Sequence, residues 1–231
     1  MAKRLVYVEN ADHTIQMLFQ KHGWGITKNH IHADLICFSG GADVSPQIYG
    51  REDPFKLCKV SPSRDKDCVD IFISAVERNI PCVGICRGAQ FLNVMNGGEM
   101  WMDVDAHIGN HEMIDELTGE VYEVTSTHHQ MMKPADYAMV IAVGRMSTYK
   151  HNGTNKINVE DLHEDHQDDA EVVFYQGVYN YEGQPKHTFR SPGLTHKSLC
   201  FQGHPEYMSC PKQTTQYFLN LIDELLMETV Q

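Results

Sequence analysis

The chain has 231 residues, 42% of them hydrophobic, and a formal net charge of −12, so its length suits one α/β domain over 1–231 and is short for two. The negative charge argues against a nucleic-acid backbone or an anionic membrane as the main partner. No apolar run approaches the length of a membrane-spanning helix.

The first part of the chain alternates strands with helices. The apolar run at 4–9 predicts a buried strand, apolar residues at helical spacing predict a helix over 11–22, and a second strand follows at 34–39. That strand ends in Gly40 and Gly41, and adjacent glycines after a parallel strand let backbone N–H groups approach a ligand closely. A plain turn is the alternative for this pair.

The next stretch leads to the centre of the sequence. Residues 42–67 are polar and interrupted by prolines, which predicts a long surface loop that lines a site. A helix is predicted over 67–79, then a strand over 81–85, then a helix that stops at Gly97 and Gly98. Alternating strands and helices indicate a parallel sheet covered on both faces.

The second half has a different pattern. Short strands that extend the sheet or form its margin are predicted at 120–125, 138–144 and 171–176. The hydrophilic stretch 150–169 predicts an exposed excursion. A buried strand at 198–203 and an amphipathic helix at 212–227 then close the domain.

Cys86 stands at the turn between the strand at 81–85 and the helix after it. Gly84 precedes it and Gly88 follows it, and small residues on both sides permit a sharp strand-to-helix turn with the side chain at its apex. A thiol at the start of a helix also lies near the positive end of the helix dipole, which favours the thiolate. Cys86 is therefore the candidate nucleophile.

The other cysteines indicate structure and compartment. There are seven in all, and for the remaining six we expect a packing role, because free cysteine usually behaves as a small buried hydrophobe. An odd number without a Cys-x-x-Cys pair fits a reducing compartment better than a disulfide framework. Because no charged-then-apolar leader opens the sequence, we expect a cytoplasmic protein.

His204 and Glu206 follow the strand at 198–203 and supply a matching base. Pro205 between them excludes a helix, so the two side chains are expected to point the same way. The carboxylate can then hold one imidazole nitrogen and leave the other for the thiol of Cys86. These three residues make a complete Cys-His-Glu triad.

Attack of a thiolate on an amide carbonyl creates an oxyanion that needs N–H donors. The backbone N–H of Arg87, directly after the nucleophile, is one candidate, and that of Gly41 is the second if their two strands are neighbours. Gln90 lies one helical turn beyond Cys86, where its amide can hold a substrate or face solvent.

Fourteen histidines raise the question of a metal site. His107 and His111 have the i, i+4 spacing of ligands on a helix, but Gly109 lies between them and no third ligand is evident. A second group of histidines lies at 163–166. Scattered surface histidines are the better interpretation, so we expect no metal and no organic cofactor.

Several segments resemble a known family. Residues 84–90, Gly-Ile-Cys-Arg-Gly-Ala-Gln, together with His204-Pro205-Glu206 resemble a class I, or triad, glutamine amidotransferase. The segments 39–46 and 126–130 are similar to the γ-glutamyl peptidase branch of that superfamily, which includes γ-glutamyl-γ-aminobutyrate hydrolase. These motifs stand in the order of the family and cover most of the chain.

The resemblance implies a flavodoxin-like three-layer α/β/α sandwich with a mostly parallel central sheet. It implies a γ-glutamyl thioester on Cys86, whose formation releases ammonia or an amine before water frees glutamate. It also places Gln90, His128, His129 and Gln130 near the bound γ-glutamyl group, beside Gly40. For His128 and His129 the alternative is a role as partly buried strand or turn residues.

Three functions are open at this point. A γ-glutamyl peptidase hydrolyses its small-molecule substrate alone, whereas a glutaminase subunit passes ammonia to a synthetase bound in trans. The third is a non-catalytic binding module on the same fold, against which the complete triad argues. The sequence leaves the oligomeric state undetermined.

Overall fold

The computed structural model describes residues 3–178 and 195–227. Within them the helices are α1 (His13–Lys21), α2 (Pro62–Arg78), α3 (Arg87–Met95) and α4 (Lys212–Leu221), the last continued by a π-helical turn at Ile222–Met227. The strands are β1 (Leu5–Val8), β2 (Gly25–Thr27), β3 (Leu35–Phe38), β4 (Cys82–Ile85), β5 (Glu99–Trp101), β6 (Asp103–Val104), β7 (Ile108–Asp115), β8 (Val121–Thr127), β9 (Met131–Lys133), β10 (Met139–Gly144), β11 (Tyr149–His151), β12 (Lys156–Asn158), β13 (Asp169–Val178) and β14 (Thr195–Phe201). None of the described helices has both the length and the apolar character that crossing a membrane requires.

An 11-stranded sheet in the order β2-β1-β3-β4-β14-β13-β10-β7-β8 organises the fold, with β9 and β5 attached beside β13. The strands from β2 to β14 run parallel to their neighbours. From β13 onward the pairing is antiparallel. The predicted fold class is confirmed, and so is the antiparallel extension that the middle of the sequence indicated.

Side chains of the central strands alternate between two cores, one on each face of the sheet. Val83 and Ile85 of β4 enter the core that also contains Phe19 of α1 and Phe218 of α4. Cys82 of the same strand enters the core formed with α2 and α3. Both faces are covered, which gives the three layers and explains why these strands read as continuous apolar runs.

Helix α2 begins at Pro62, earlier than the start predicted near residue 67. The prediction treated this proline as part of a loop, but proline suits the first turn of a helix because its missing N–H would have no intrahelical partner there. The preceding stretch is also more ordered than a surface loop, with a 3-10 turn at Pro46–Tyr49 whose Tyr49 is buried. The early start of α2 places two charged residues, Arg64 and Asp65, on a fixed helix.

Several short strands were missed, chiefly β7 and the members of a second sheet formed by β12, β11 and β6. Short polar strands give too little alternation to stand out in a sequence. The expectation that 150–169 is an exposed excursion is wrong in part, because the stretch contains β12 and the side chain of Lys150 is 0% exposed.

Two glycines let α3 pack closely on the sheet beside Cys86. A Cβ on Gly84 would lie 2.3 Å from the backbone of Gly88, and a Cβ on Gly88 would lie 2.1 Å from the carbonyl oxygen of Phe38 in β3. Neither position can hold a larger residue without moving the backbone. The small residues around the cysteine are therefore required by the packing of α3 on β3 and β4.

We predict that Gly88→Ala lowers the free energy of unfolding by about 3 kcal/mol, because the added methyl group overpacks a backbone contact. Urea unfolding measures this loss. Gly119→Ala is the matched control, since Gly119 has φ 72° and no atom within 4 Å of the added Cβ. It should lose only about 1 kcal/mol for the left-handed backbone. Equal losses for the two variants would contradict the close packing of α3.

Candidate active site

Cys86 occupies the turn between β4 and α3 in a conformation that non-glycine residues rarely adopt, with φ 52° and ψ −112°. Backbone hydrogen bonds hold this conformation on both sides: the N–H of Cys86 donates to Phe201 O (2.9 Å), and its carbonyl accepts from the N–H of Gln90 (3.1 Å). Strain of this kind persists only where the surroundings impose it, and it is common at nucleophile turns.

His204 reaches Cys86 from the neighbouring strand. Because β14 is parallel to β4 and adjacent to it, the carboxyl ends of the two strands meet at one edge of the sheet. His204 Nδ1 lies 2.8 Å from Glu206 Oε1, and Cys86 is close enough to the imidazole to be one of the groups that raise its pKa. The structure thus places the three predicted residues beside one another, and their action as a triad stays a prediction.

Two residues that the sequence did not indicate also hold the ring of His204. Tyr207 stacks on it with the ring centroids 4.2 Å apart and the planes at 8°. The hydroxyl of Thr127, at the end of β8, lies 3.2 Å from His204 Nε2. Thr127 belongs to the 126–130 segment, so its position in that motif was the one available signal.

The pKa of His204 is strongly perturbed. Burial by itself lowers this pKa, but the interactions of the ring with Cys86 and Glu206 raise it to about 10. His204 therefore carries a proton at neutral pH.

Gly40 and Gly41 follow β3, which is a parallel neighbour of β4 in the sheet. This pairing of the two strands was the condition for Gly41 to supply the second oxyanion donor. A Cβ on Gly40 would lie 3.2 Å from His204 Cε1 and 3.7 Å from Cys86 Cβ, so this glycine borders both residues. Gly41 has φ 138°, a value that favours glycine. Gly40 therefore borders Cys86 and His204, and an oxyanion contact by the N–H of Gly41 stays a prediction.

Arg64 of α2 fixes the peptide that joins these two glycines. Its Nη1 donates to Gly40 O (2.9 Å), while its Nη2 is bound to Glu9 Oε2 (2.6 Å). In a trans peptide the carbonyl and the N–H point in opposite directions, so a fixed Gly40 carbonyl also fixes the direction of the Gly41 N–H. This contact could not be predicted from the sequence, because Arg64 fell in a predicted loop.

Arg87 is anchored in a similar way. Its side chain is 1% exposed and forms an ion pair with Asp65, while Nη1 donates to Cys68 Sγ (3.1 Å). Asp65 also accepts a hydrogen bond from the hydroxyl of Ser45. The first residue of α3, whose N–H is the other oxyanion candidate, is therefore tied to α2 and to the loop after β3.

We predict that Arg64→Lys lowers kcat by about 10-fold or more, because small displacements of an oxyanion donor are costly. A lysine keeps the positive charge beside Glu9, but its single nitrogen cannot replace the planar fork that also binds Gly40 O. Steady-state kinetics measure the change. Arg145→Lys is the matched control, since that arginine forms an exposed ion pair with Asp168. An unchanged kcat in Arg64→Lys would show that the Gly40-Gly41 peptide needs no such anchor.

Gln90 and Gln130 lie in a buried hydrogen-bonded network. Gln90 is 2% exposed, so the alternative of a solvent-facing glutamine is wrong. Its Nε2 donates to Gln130 O (3.1 Å) and Gln202 Oε1 (3.4 Å). Gln130 Nε2 donates in turn to Cys58 Sγ (3.0 Å). A substrate contact by either amide stays a prediction.

His128 and His129 have different surroundings. His128 is buried, its Nδ1 lies 2.8 Å from Gln130 O, and burial lowers its pKa well below the usual value, so the ring is neutral. His129 is half-buried between Asp43 and Asp103, each 3.1 Å from one ring nitrogen. The hydrogen bond to Asp43 is the largest cause that raises the pKa of His129. Contact of either ring with a substrate stays a prediction.

The expectation of surface positions for His107 and His111 is wrong. The two residues are 1% and 6% exposed, and they lie at the start of β7 rather than on a helix. Of the six cysteines expected to pack in the interior, five are buried and Cys58 is partly exposed.

A profile of the Peptidase C26 family matches residues 8–171, which include the Cys86 turn and end before His204. The chain belongs to the Peptidase C26 family. Its fold is thus that of a glutamine amidotransferase-like protein, as the sequence motifs indicated.

Comparison with individual proteins gives the same grouping. The chain is 35% identical over 127 residues to the glutamine amidotransferase-like protein YvdE of Lactococcus lactis, a match covering 46% of this chain and 54% of that protein. Matches of this kind span about half the length of the curated relatives.

Among solved structures, a glutamine amidotransferase from Thermotoga maritima aligns with a TM-score of 0.54 and 11% identity, over 100% of this chain and 87% of that one. PurLQS from the same organism aligns with a TM-score of 0.52 and 16% identity, over 96% and 100%. At such identities the structures support the fold alone.

Proposed function

We propose that this member of the Peptidase C26 family hydrolyses a γ-glutamyl amide through a γ-glutamyl thioester on Cys86. The observation that carries the proposal is the 2.8 Å hydrogen bond between His204 and Glu206 beside Cys86, whose backbone is held at φ 52°. Glycine-lined backbone at Gly40 and Gly41 completes the surroundings.

In the first half of the reaction the Cys86 thiolate attacks the γ-carbonyl carbon, and a C–S bond forms. The negative charge moves to the carbonyl oxygen, which accepts hydrogen bonds from the N–H groups of Gly41 and Arg87. Collapse of this intermediate breaks the C–N bond. The imidazolium of His204 gives its proton to the departing nitrogen, so ammonia or an amine leaves as a neutral molecule.

In the second half, the now neutral His204 takes a proton from water, and the resulting hydroxide attacks the thioester carbonyl. The C–S bond breaks, glutamate is released, and the thiolate of Cys86 again faces the imidazolium. Glu206 keeps its hydrogen bond to Nδ1 throughout and stabilises the charged ring. No metal or organic cofactor takes part in these steps.

The test is release of glutamate by the purified protein alone, with glutamine and a panel of γ-glutamyl amines as substrates. The proposal predicts Cys86-dependent release from at least one of them. No release from any of these substrates, by a protein whose Cys86 alkylates readily, would contradict independent hydrolysis.

The same experiment separates the proposal from ammonia delivery. A glutaminase subunit acting for a synthetase in trans would hydrolyse glutamine only when that partner is added. The structural likeness to PurLQS supports the fold alone, so it does not decide between these two functions. Strong release from a γ-glutamyl amine, with little from glutamine, would establish a peptidase that works without a partner.

A further inference from the structure

Three buried side chains that the proposed mechanism does not use meet between β7 and β13. They are His107, just before β7, His111 within it, and Glu171 in β13. Strand β10 separates β7 from β13 but pairs with β7 only at Ile114 and Asp115. Strand β10 ends at Gly144, a residue whose added Cβ would lie 3.2 Å from Glu171 Oε1.

The three residues face one another closely. One ligand atom from each lies within 4.8 Å of the others. His111 Nε2 is 2.8 Å from Glu171 Oε1, and His107 Nδ1 is 3.5 Å from the same oxygen. Ligands at Zn–N and Zn–O distances near 2.0 Å in a tetrahedron are about 3.3 Å apart, so both separations are close to that spacing.

His107 has a carboxylate at each ring nitrogen. Its Nε2 lies 3.1 Å from Asp169 Oδ2, and its Nδ1 faces Glu171 without a hydrogen bond. The N–H of a neutral imidazole can satisfy only one of two carboxylates, and the other nitrogen then presents a lone pair that a cation can bind. With the proton on Nε2, a cation between Nδ1 and Glu171 resolves the conflict.

Two buried carboxylates, those of Asp169 and Glu171, lie beside the two histidines. Lys150 is fully buried, and its Nζ lies 2.9 Å from Asp169 Oδ1, so these two charges compensate each other. Glu171 is 0% exposed and lies 2.8 Å from His111 Nε2, and a cation held by these two side chains would supply the positive partner that a buried carboxylate needs. The Asp169–His107 contact also has the form in which a carboxylate orients a metal-binding histidine.

We propose that His107 Nδ1, His111 Nε2 and Glu171 Oε1 bind one Zn²⁺ ion, with water as a fourth ligand. Two imidazoles and one carboxylate are a donor set that zinc prefers. The ring of His128 stacks on His107 with the centroids 4.8 Å apart, and because its Nδ1 is hydrogen-bonded to Gln130 O, its unpartnered Nε2 can accept a hydrogen bond from a zinc-bound water. The site is separate from the hydrolytic residues and takes no part in bond breaking.

The proposed zinc site would affect the active site by holding two neighbouring segments in position. His128 directly follows Thr127, whose hydroxyl lies 3.2 Å from His204 Nε2. The main chain of Glu171 also accepts a hydrogen bond from the N–H of Gln202, two residues before His204 (2.8 Å). Zinc would therefore brace both segments that hold the imidazole of His204.

Cobalt substitution and metal analysis test the proposal in the Cys86→Ala protein, where the reactive thiol cannot bind metal. After removal of metal with chelator, we expect one equivalent of Zn²⁺ or Co²⁺ to bind. The Co²⁺ form should show the intense visible bands of a tetrahedral site without a thiolate-to-cobalt charge-transfer band. Zinc should also raise the thermal midpoint, because it binds only the folded state.

Site variants locate the metal. Glu171→Gln keeps the side-chain shape and should weaken Zn²⁺ binding by about 100-fold or more, while the double variant His163→Ala/His166→Ala, which removes the other histidine group, should bind as before. Near-ultraviolet circular dichroism checks that the variants fold, and His107→Gln serves as a second site variant. Less than half an equivalent bound, a thiolate charge-transfer band, or unchanged affinity in folded Glu171→Gln would each overturn the proposal.

Discussion

Replacing Cys86 with alanine will lower kcat/KM for a γ-glutamyl amide by at least about 10⁴-fold, because no other group in the site can form the thioester. The fold will be retained, since the side chain is buried at the end of a turn and alanine keeps its Cβ. Steady-state kinetics and circular dichroism measure the two properties. Turnover close to wild type in Cys86→Ala would end the proposal of a thioester mechanism.

Two further substitutions make this prediction specific to Cys86. Cys86→Gly should be equally inactive but about 1 kcal/mol more stable than Cys86→Ala, because glycine adopts φ 52° without strain. Cys210→Ala removes a different buried thiol, whose Sγ donates to Pro211 O, and should retain wild-type turnover. A loss of activity in Cys210→Ala equal to that in Cys86→Ala would point to a general structural effect.

Glu206→Gln should lower kcat/KM by about 100-fold or more and change its pH dependence. The glutamine amide can donate to His204 Nδ1, which leaves the proton on Nε2, the nitrogen that must exchange protons with the thiol. The neutral amide also removes one of the causes that raise the pKa of His204 to about 10.

The direction of the pH effect follows from the role of the imidazolium. The active form needs protonated His204, so activity is present below its pKa and is lost as pH rises through about 10. In Glu206→Gln the alkaline limb of the kcat/KM profile should move to lower pH. Glu123→Gln alters an exposed carboxylate on β8 and is the matched control. An alkaline limb that stays near pH 10 in Glu206→Gln would show that this carboxylate does not act on His204.

Features encoded by neighbouring residues could be predicted from the sequence. The Cys86 turn depends on Gly84 and Gly88, which lie two residues to either side of Cys86, and the clashes of an added Cβ give the reason. The contact between His204 and Glu206 joins residues two apart, but it forms in a turn closed by the hydrogen bond from the N–H of Tyr207 to His204 O (3.3 Å), not in the extended backbone expected around Pro205. Neither of these two predictions required knowledge of residues distant in the sequence.

Contacts between distant residues could not be predicted. The anchor of the Gly40 carbonyl is Arg64, and the partner of Arg64 is Glu9, 55 residues earlier. Arg64 was placed in a predicted loop, because Pro62 in the first turn of α2 resembles a loop signal. Tyr207 and Thr127 are likewise brought to His204 only by the tertiary fold.

The histidines show how a correct observation led to a wrong conclusion. The spacing of His107 and His111 was tested against a helix, yet the segment is the strand β7. Their partner Glu171 lies 60 residues beyond His111, so no local pattern could reveal it. Burial of the group likewise depends on the packing of β13 and β14 against the rest of the sheet.

The central claim is a γ-glutamyl thioester on Cys86, and mass spectrometry of the protein acid-quenched during turnover tests it most directly. Under saturating γ-glutamyl amide, we expect a γ-glutamyl adduct on the peptide that contains Cys86. The adduct should disappear when substrate is exhausted, and it should be absent from Cys86→Ala. Turnover without any adduct on Cys86, or with an adduct on another cysteine, would contradict the mechanism.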